Sequence, residues 1–233
     1  RVRQSPIICL EGPSAVGKTS LAGALAATFG AAIVPELDTS GAPPAASAEP
    51  WFTQAHVRRW REALHLSGEA PFVVIDCDPL KGLWYNWMHA EEGWPRIDTV
   101  GTLYREQYRC DALDFPDLYI FLDATEAALW ARRNADPTRS RRGFQKHVRH
   151  LNSHRRYFRA LQAAAPSRVR FLETTDQASL PARVHGLIET LPIADGDSQA
   201  LLEIMILWID HHAPADAVQL PLESNPATSE SSE

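Results

Sequence analysis

Five short apolar runs recur along the chain: Pro6–Leu10 (PIICL), Ala31–Val34, Pro71–Ile75 (PFVVI), Leu118–Leu122 (LYIFL) and Val169–Leu172. Each is apolar at successive positions rather than alternating, the pattern of strands buried on both faces. Between them lie segments with helical spacing: Ser20–Phe29, Trp51–Leu66, Leu83–His89, Thr99–Ala112, Thr125–Arg133, Phe144–Ala164 and Leu180–Leu191. Strands alternating with helices predict an α/β fold, a parallel sheet covered on both faces. Gly30 marks one helix stop, and Pro35–Pro50, rich in Pro, Ala, Ser and Gly, reads as a loop. Past Pro192 the texture changes. Ser198–Ile209 predicts one more helix, too apolar to stay in water, which should pack on the main domain or form a subunit contact such as a homodimer. Residues 213–233 are rich in Pro, Ser and Glu and predict a disordered acidic tail with no apolar anchor. The expected organisation is a main domain over 1–193, a helical extension over 194–212 and a tail over 213–233.

The first strand runs into Gly12-Pro-Ser-Ala-Val-Gly17-Lys18-Thr19, which fits G-x-x-x-x-G-K-[ST] without deviation and opens a helix. The glycines allow the backbone N–H groups of Gly12, Ser14, Ala15, Val16 and Gly17 to turn around phosphate oxygens. The helix N-terminus, through Ser20, adds the positive end of a dipole. Lys18 suits the β- and γ-phosphates of ATP, and the Thr19 hydroxyl suits Mg²⁺.

Glu11-Gly12-Pro13-Ser14 leading into Gly17-Lys18-Thr19 resembles the opening of P-loop small-molecule kinases, the group of deoxynucleoside, thymidylate and ribosylnicotinamide kinases. Leu118–Glu126 followed by Arg132-Arg133 is similar to their fourth strand and the helix running to the lid. Pro137–Arg142 is similar to the Arg-rich lid itself, placed at about 134–143. The resemblance spans roughly residues 5–191. It implies a three-layer P-loop kinase fold with a five-stranded parallel sheet, and transfer of the γ-phosphoryl of ATP to a small hydroxyl or phosphate acceptor. Arginines stabilise charge on a phosphoryl in flight, and a closing basic loop excludes water. Arg133, Arg139, Arg141 and Arg142 are the candidates, with Arg133 assigned to nucleotide and Arg139 and Arg142 to the transferred group.

In that group carboxylates follow the second and third strands. This chain offers Glu36 and Asp38 after the second, and Asp76-Cys77-Asp78 after the third. Deoxynucleoside kinases carry an acid followed by Arg at the third strand; here Cys77 stands in the Arg place. Asp-x-Asp is closer to ribosylnicotinamide kinases, from which Pro79-Leu80-Lys81 departs. Such carboxylates point into the crevice of an α/β sheet, where Asp76 suits Mg²⁺ and Asp76, Glu36 or Asp78 suits the acceptor's proton. Asp78 before Pro79 fits a helix N-cap equally well, and Asp38 a solvated loop. Trp84, Tyr85 and Trp87 are placed either to stack a planar acceptor or to pack the core. His147, His150 and His154 follow helical spacing but lie among arginines with no Cys or acid nearby, so no metal site is expected from them.

Charge sharpens this picture. Residues 132–159 hold ten Arg or Lys and one acid, whereas residues 194–233 hold eight acids and no Arg or Lys. The net charge of −6 therefore belongs to the C-terminus. The basic stretch reads as a lid rather than a nucleic-acid surface. No apolar run reaches the roughly 20 residues a membrane span requires, and Arg1–Pro6 lacks the apolar centre of a signal peptide. Three scattered cysteines with no CxxC pair predict a reducing, cytoplasmic setting. The acceptor is expected to be nucleoside- or nucleotide-like or a hydroxylated antibiotic. The competing reading is a P-loop regulatory ATPase, although no Asn-Lys-x-Asp motif is present.

Overall fold

The five apolar runs become β1 (Ile7–Glu11), β2 (Ala32–Val34), β3 (Val73–Asp76), β4 (Leu118–Asp123) and β5 (Val169–Glu173). The computed structural model describes residues 4–136, 143–191 and 197–216. All strand pairs are parallel, in the order β2-β3-β1-β4-β5. Cys9 is level with Ile75 on one side and Tyr119 on the other. The carboxyl ends of the three central strands therefore lie side by side. β1 is flanked by β3 and β4, so the connections leave in opposite directions there and open a crevice above its end.

The three central strands are buried almost throughout, yet their side chains still alternate between two cores. Ile7, Cys9, Val73, Ile75, Tyr119 and Phe121 meet α2 (Ala45–Leu66), α3 (Lys81–Met88), α4 (Ile97–Arg109) and α7 (Leu151–Ala164). Ile8, Leu10, Val74, Ile120 and Leu122 meet α1 (Lys18–Phe29), α5 (Glu126–Ala135) and α8 (Leu180–Glu189). The expected three-layer sheet with helices on both faces is thus the observed fold. All three cysteines are free. Among the described residues no helix is long and apolar enough to cross a membrane.

Two expectations need correction. The segment read as a loop over 35–50 is helical from Ala45, and α2 runs through Pro50. Alanine favours a helix, and buried Ala48 and Glu49 anchor this first part, with Glu49 accepting from Thr53 and Asn86. The single helix expected over Phe144–Ala164 is two, α6 (Phe144–Arg149) and α7, broken at His150.

The extension forms α9 (Ser198–His211), capped by Asp197. Leu201, Leu202, Met205, Ile206 and Ile209 are buried against the α4 and α7 side, while Ile204 and Leu207 stay about half exposed. Arg105 pairs with Glu203 at 2.7 Å, and Trp87 donates to the His212 carbonyl at 2.6 Å. Past Ala213 there is a polar contact: Asp216 accepts from the Ser153 amide at 2.7 Å and from the Ser153 hydroxyl at 2.9 Å. Five buried apolar side chains at roughly 1.5–3 kcal/mol each rival the ~5–15 kcal/mol total stability of a domain. A chain ending at residue 191 should therefore aggregate or melt at least ~10 °C lower by thermal denaturation.

Candidate active site

The turn after β1 has the backbone a phosphate cradle requires. Gly12 has φ +134° and approaches β4 so closely that a Cβ there would meet the Leu122 carbonyl oxygen at 2.3 Å. Gly17, at φ +110°, caps α1 without a side-chain hydrogen bond, and no acid lies in the first turn. The residues at the start of α1 thus line the crevice with no side-chain cap on the helix. The Lys18 ammonium rests over its own loop, donating to the Gly12 carbonyl at 2.8 Å.

Carboxylates and a guanidinium tie the strand ends together. Buried Glu11 accepts from the Gly12 amide at 3.0 Å with one oxygen and from the Asp78 amide at 2.9 Å with the other. Arg59 of α2 donates to the carbonyls of Pro35, Asp76 and Cys77, clipping the end of β2 to the end of β3. Cys77 is held at φ +80°, and burial pushes its thiol up to about 12, so it is neutral. The Thr19 hydroxyl donates to Asp76 Oδ2 at 3.0 Å, while the buried Oδ1 has no hydrogen-bond partner. Burial raises the Asp76 carboxyl above its ordinary value, opposed by Lys18.

A cavity of about 1080 Å³ opens above these ends. Its phosphate side is formed by residues 14–20 with Arg132 and Gln177. Its other side is formed by Glu36, Phe52, Lys81, Tyr85, Trp94 and His147, with Asp38 at the margin. Burial pushes the Glu36 carboxyl upward, but the charges of Lys81, Lys18 and Arg59 oppose it and the group lies below its ordinary value. Glu36 is therefore ionised at neutral pH. His147 is depressed to about 4 by burial and by Lys81 and Lys18, and is neutral.

Of the expected site residues, the structure brings together Gly12, the loop over 14–20, Lys18, Thr19, Glu36 and Asp76. It does not bring Asp78. That carboxylate is buried beneath the site, accepting from Leu80 N at 2.9 Å, Trp84 Nε1 at 2.8 Å and the Tyr119 hydroxyl at 2.9 Å. Its Oδ1 closes a turn onto Leu80, the residue that caps α3, rather than capping the helix itself. Arg133 is likewise turned away, over the rings of Trp130 and Phe144 at 5.4 and 5.3 Å. Arg132 stands in the cavity instead, donating to the Val16 carbonyl at 3.2 Å and to Thr174 at 2.7 Å. Arg139, Arg141 and Arg142 lie outside the described residues. Only Tyr85 of the three aromatics faces the cavity; Trp84 stacks on His154 at 4.4 Å and Trp87 packs on Trp208. Sequence reasoning missed Arg59, Lys81, Arg132 and His147.

Burial, with Glu11 adding to it, raises Asp78 to about 7. The folded state then holds a proton that the unfolded state has released, so this group's stabilisation is lost as pH rises from about 4 to about 7. Relative to Asp78→Asn, the wild-type chain should lose stability across that window by up to ~1.4 kcal/mol per pH unit in denaturant titrations. A constant difference would mean that Asp78 does not titrate there.

No known protein-family signature and no curated protein sequence matches this chain. Solved structures do. Deoxyadenosine kinase from M. mycoides with bound dATP superposes with a TM-score of 0.52 at 13% identity, over 78% of this chain and 99% of that one. Thymidylate kinase from Candida albicans gives a TM-score of 0.48 at 17% identity, over 80% and 92%. With the sheet order, the phosphate cradle and the first of these likenesses in place, the chain has the P-loop kinase fold.

Proposed function

We propose that this protein is a small-molecule kinase that moves the γ-phosphoryl of ATP to a hydroxyl of a nucleoside-like acceptor. The observation that carries the reading is an ionised carboxylate, Glu36, lining the same cavity as a complete phosphate cradle. The cradle and Lys18 hold the donor phosphates, with Arg132 at the Val16 carbonyl beside them. The aromatic side chains of Phe52, Tyr85 and Trp94 offer faces for a planar base. The acceptor oxygen bonds to the γ-phosphorus as the bond to the bridging oxygen breaks and its electron pair leaves with ADP. The hydroxyl proton passes to Glu36. Thr19 and the unpartnered Oδ1 of Asp76 suit a Mg²⁺ ion, which when bound neutralises charge on the phosphates. Nothing in the cavity favours an antibiotic acceptor or a regulatory ATPase.

A phosphate acceptor is the second reading, because half-buried Lys81 places a cation on the acceptor side. Steady-state ADP release tests the reaction class. It should rise with a nucleoside or nucleotide; stimulation only by DNA or RNA, or by nothing, contradicts a small-molecule kinase.

Lys81 is also the strongest of the charges holding Glu36 down. In Lys81→Met the foremost of these charges is gone and the Glu36 carboxyl rises. The acid limb of kcat/KM should then move toward neutral pH, enlarging the ratio of activity at pH 8 to that at pH 5. An unmoved limb with lower activity would leave Lys81 a merely structural part.

A further inference from the structure

Behind the acceptor wall, among the described residues, three side chains from distant parts of the chain converge: His89, Glu92 and His150. His89 ends α3, Glu92 lies in the following 3-10 turn (Ala90–Glu92), and His150 is the break between α6 and α7. Their ligand atoms all lie within 4.8 Å of one another. Glu92 Oε1 is 3.1 Å from His89 Nδ1 and 3.7 Å from His150 Nε2. The two rings stand nearly perpendicular, 4.4 Å apart.

The histidines lack what buried imidazoles normally have. The His89 side chain is fully buried, and His89 Nε2 and both His150 nitrogens have no hydrogen-bond partner. A neutral imidazole carries one N–H and one lone pair, and burying them unpaired costs free energy. Burial, aided by Lys146, keeps both rings neutral, the form that binds metals. Lys146 takes the other oxygen of Glu92 at 2.6 Å and leaves Oε1 facing the rings. The acid that the basic stretch lacks in sequence is supplied from the other side of the fold.

We propose that His89, Glu92 and His150 form a binding site for a zinc-type divalent cation. Two imidazoles and one carboxylate suit Zn²⁺, whereas Mg²⁺ prefers all-oxygen sites, so this site is separate from the cradle. The half-exposed face of Glu92 admits water as a fourth ligand. The ion ties the end of α3, which carries Lys81 and Tyr85, to the α6–α7 joint, whose His147 also lines the cavity. It is a clamp between two acceptor walls and stands whether or not the chain is a kinase.

Equilibrium dialysis of the untagged, EDTA-stripped full chain against micromolar Zn²⁺, read by elemental analysis, should give one ion per chain that millimolar Mg²⁺ does not displace. Co²⁺ in its place should show the visible absorption of a four-coordinate site. At one hundred times Kd the melting temperature should rise by roughly 5–10 °C. His89→Gln/His150→Gln should abolish both effects. The surface change Glu92→Gln, which leaves the core intact, should weaken binding by roughly tenfold or more. The His211→Ala/His212→Ala chain should bind as the wild type does. Well under one ion per chain, binding unchanged in Glu92→Gln, or binding lost in His211→Ala/His212→Ala would overturn the assignment and leave Glu92 and Lys146 as an ion pair only.

Discussion

Lys18→Ala should lower phosphoryl transfer by about 10²–10³-fold while the fold stands. Among the described residues, the Lys18 ammonium donates to the carbonyls of Gly12 and Pro13, at 2.8 and 3.5 Å. Its removal costs two short-range contacts in a half-exposed turn, so the melting temperature should move by no more than a few degrees. Its catalytic worth is different, because a preorganised cation at a transferring phosphoryl group acts where charge develops and water is excluded. The check is kcat/KM beside a thermal melt of the same sample. Near-normal turnover would mean that the chemistry does not occur at this loop. Collapse of the fold would mean that Lys18 carries stability the structure does not show.

Glu36→Gln is the second large effect, and it discriminates between acceptors. With a hydroxyl acceptor, a proton must leave the attacking oxygen, and a positioned base contributes about 10²–10⁴-fold. Glu36 is held ionised by Lys81 and Lys18, so on the proposed role the wild-type chain should work into mildly acidic pH. The amide keeps the shape and removes the base, so kcat should fall while ATP affinity stays the same. A phosphate acceptor is already ionised near neutral pH and needs no base. With such an acceptor the variant should keep most of its rate and gain affinity, since one repelling charge has gone. Asp76→Asn separates the two carboxylates, because Asp76 contacts Thr19 at 3.0 Å and its loss should show in the Mg²⁺ dependence.

The parts of this fold that were legible in sequence depend on local information. Each strand is a run of apolar residues, and the phosphate cradle is eight consecutive residues whose glycines are dictated by backbone geometry. What was not legible depends on contacts between distant segments. Arg59 sits in a helix with nothing local to mark it; its acceptors at Pro35, Asp76 and Cys77 lie 17 to 24 residues away. It brings a guanidinium against Cys77, the position where a deoxynucleoside kinase carries Arg. Arg132 and Arg133 are neighbours in sequence but about 100° apart around α5, and spacing alone does not say which faces the cradle. Asp78 fitted both a cap and a base in sequence; the donors that hold it beneath the site, Trp84 Nε1 and the Tyr119 hydroxyl, come from α3 and β4. His150 looked like one of three histidines on a basic helix. The break at that residue turns it toward α3, where Glu92 supplies the missing acid.

If the cradle and Glu36 serve one reaction, acceptor phosphorylation should depend on both. The chain is incubated with ATP, Mg²⁺ and a panel of nucleosides and nucleotides, and the products are read by mass spectrometry. A nucleoside should gain one phosphate in step with ADP, with the product absent in Lys18→Ala and sharply reduced in Glu36→Gln. ADP formation with no phosphorylated acceptor across the panel, or a product that persists in Lys18→Ala, would contradict the proposed reaction.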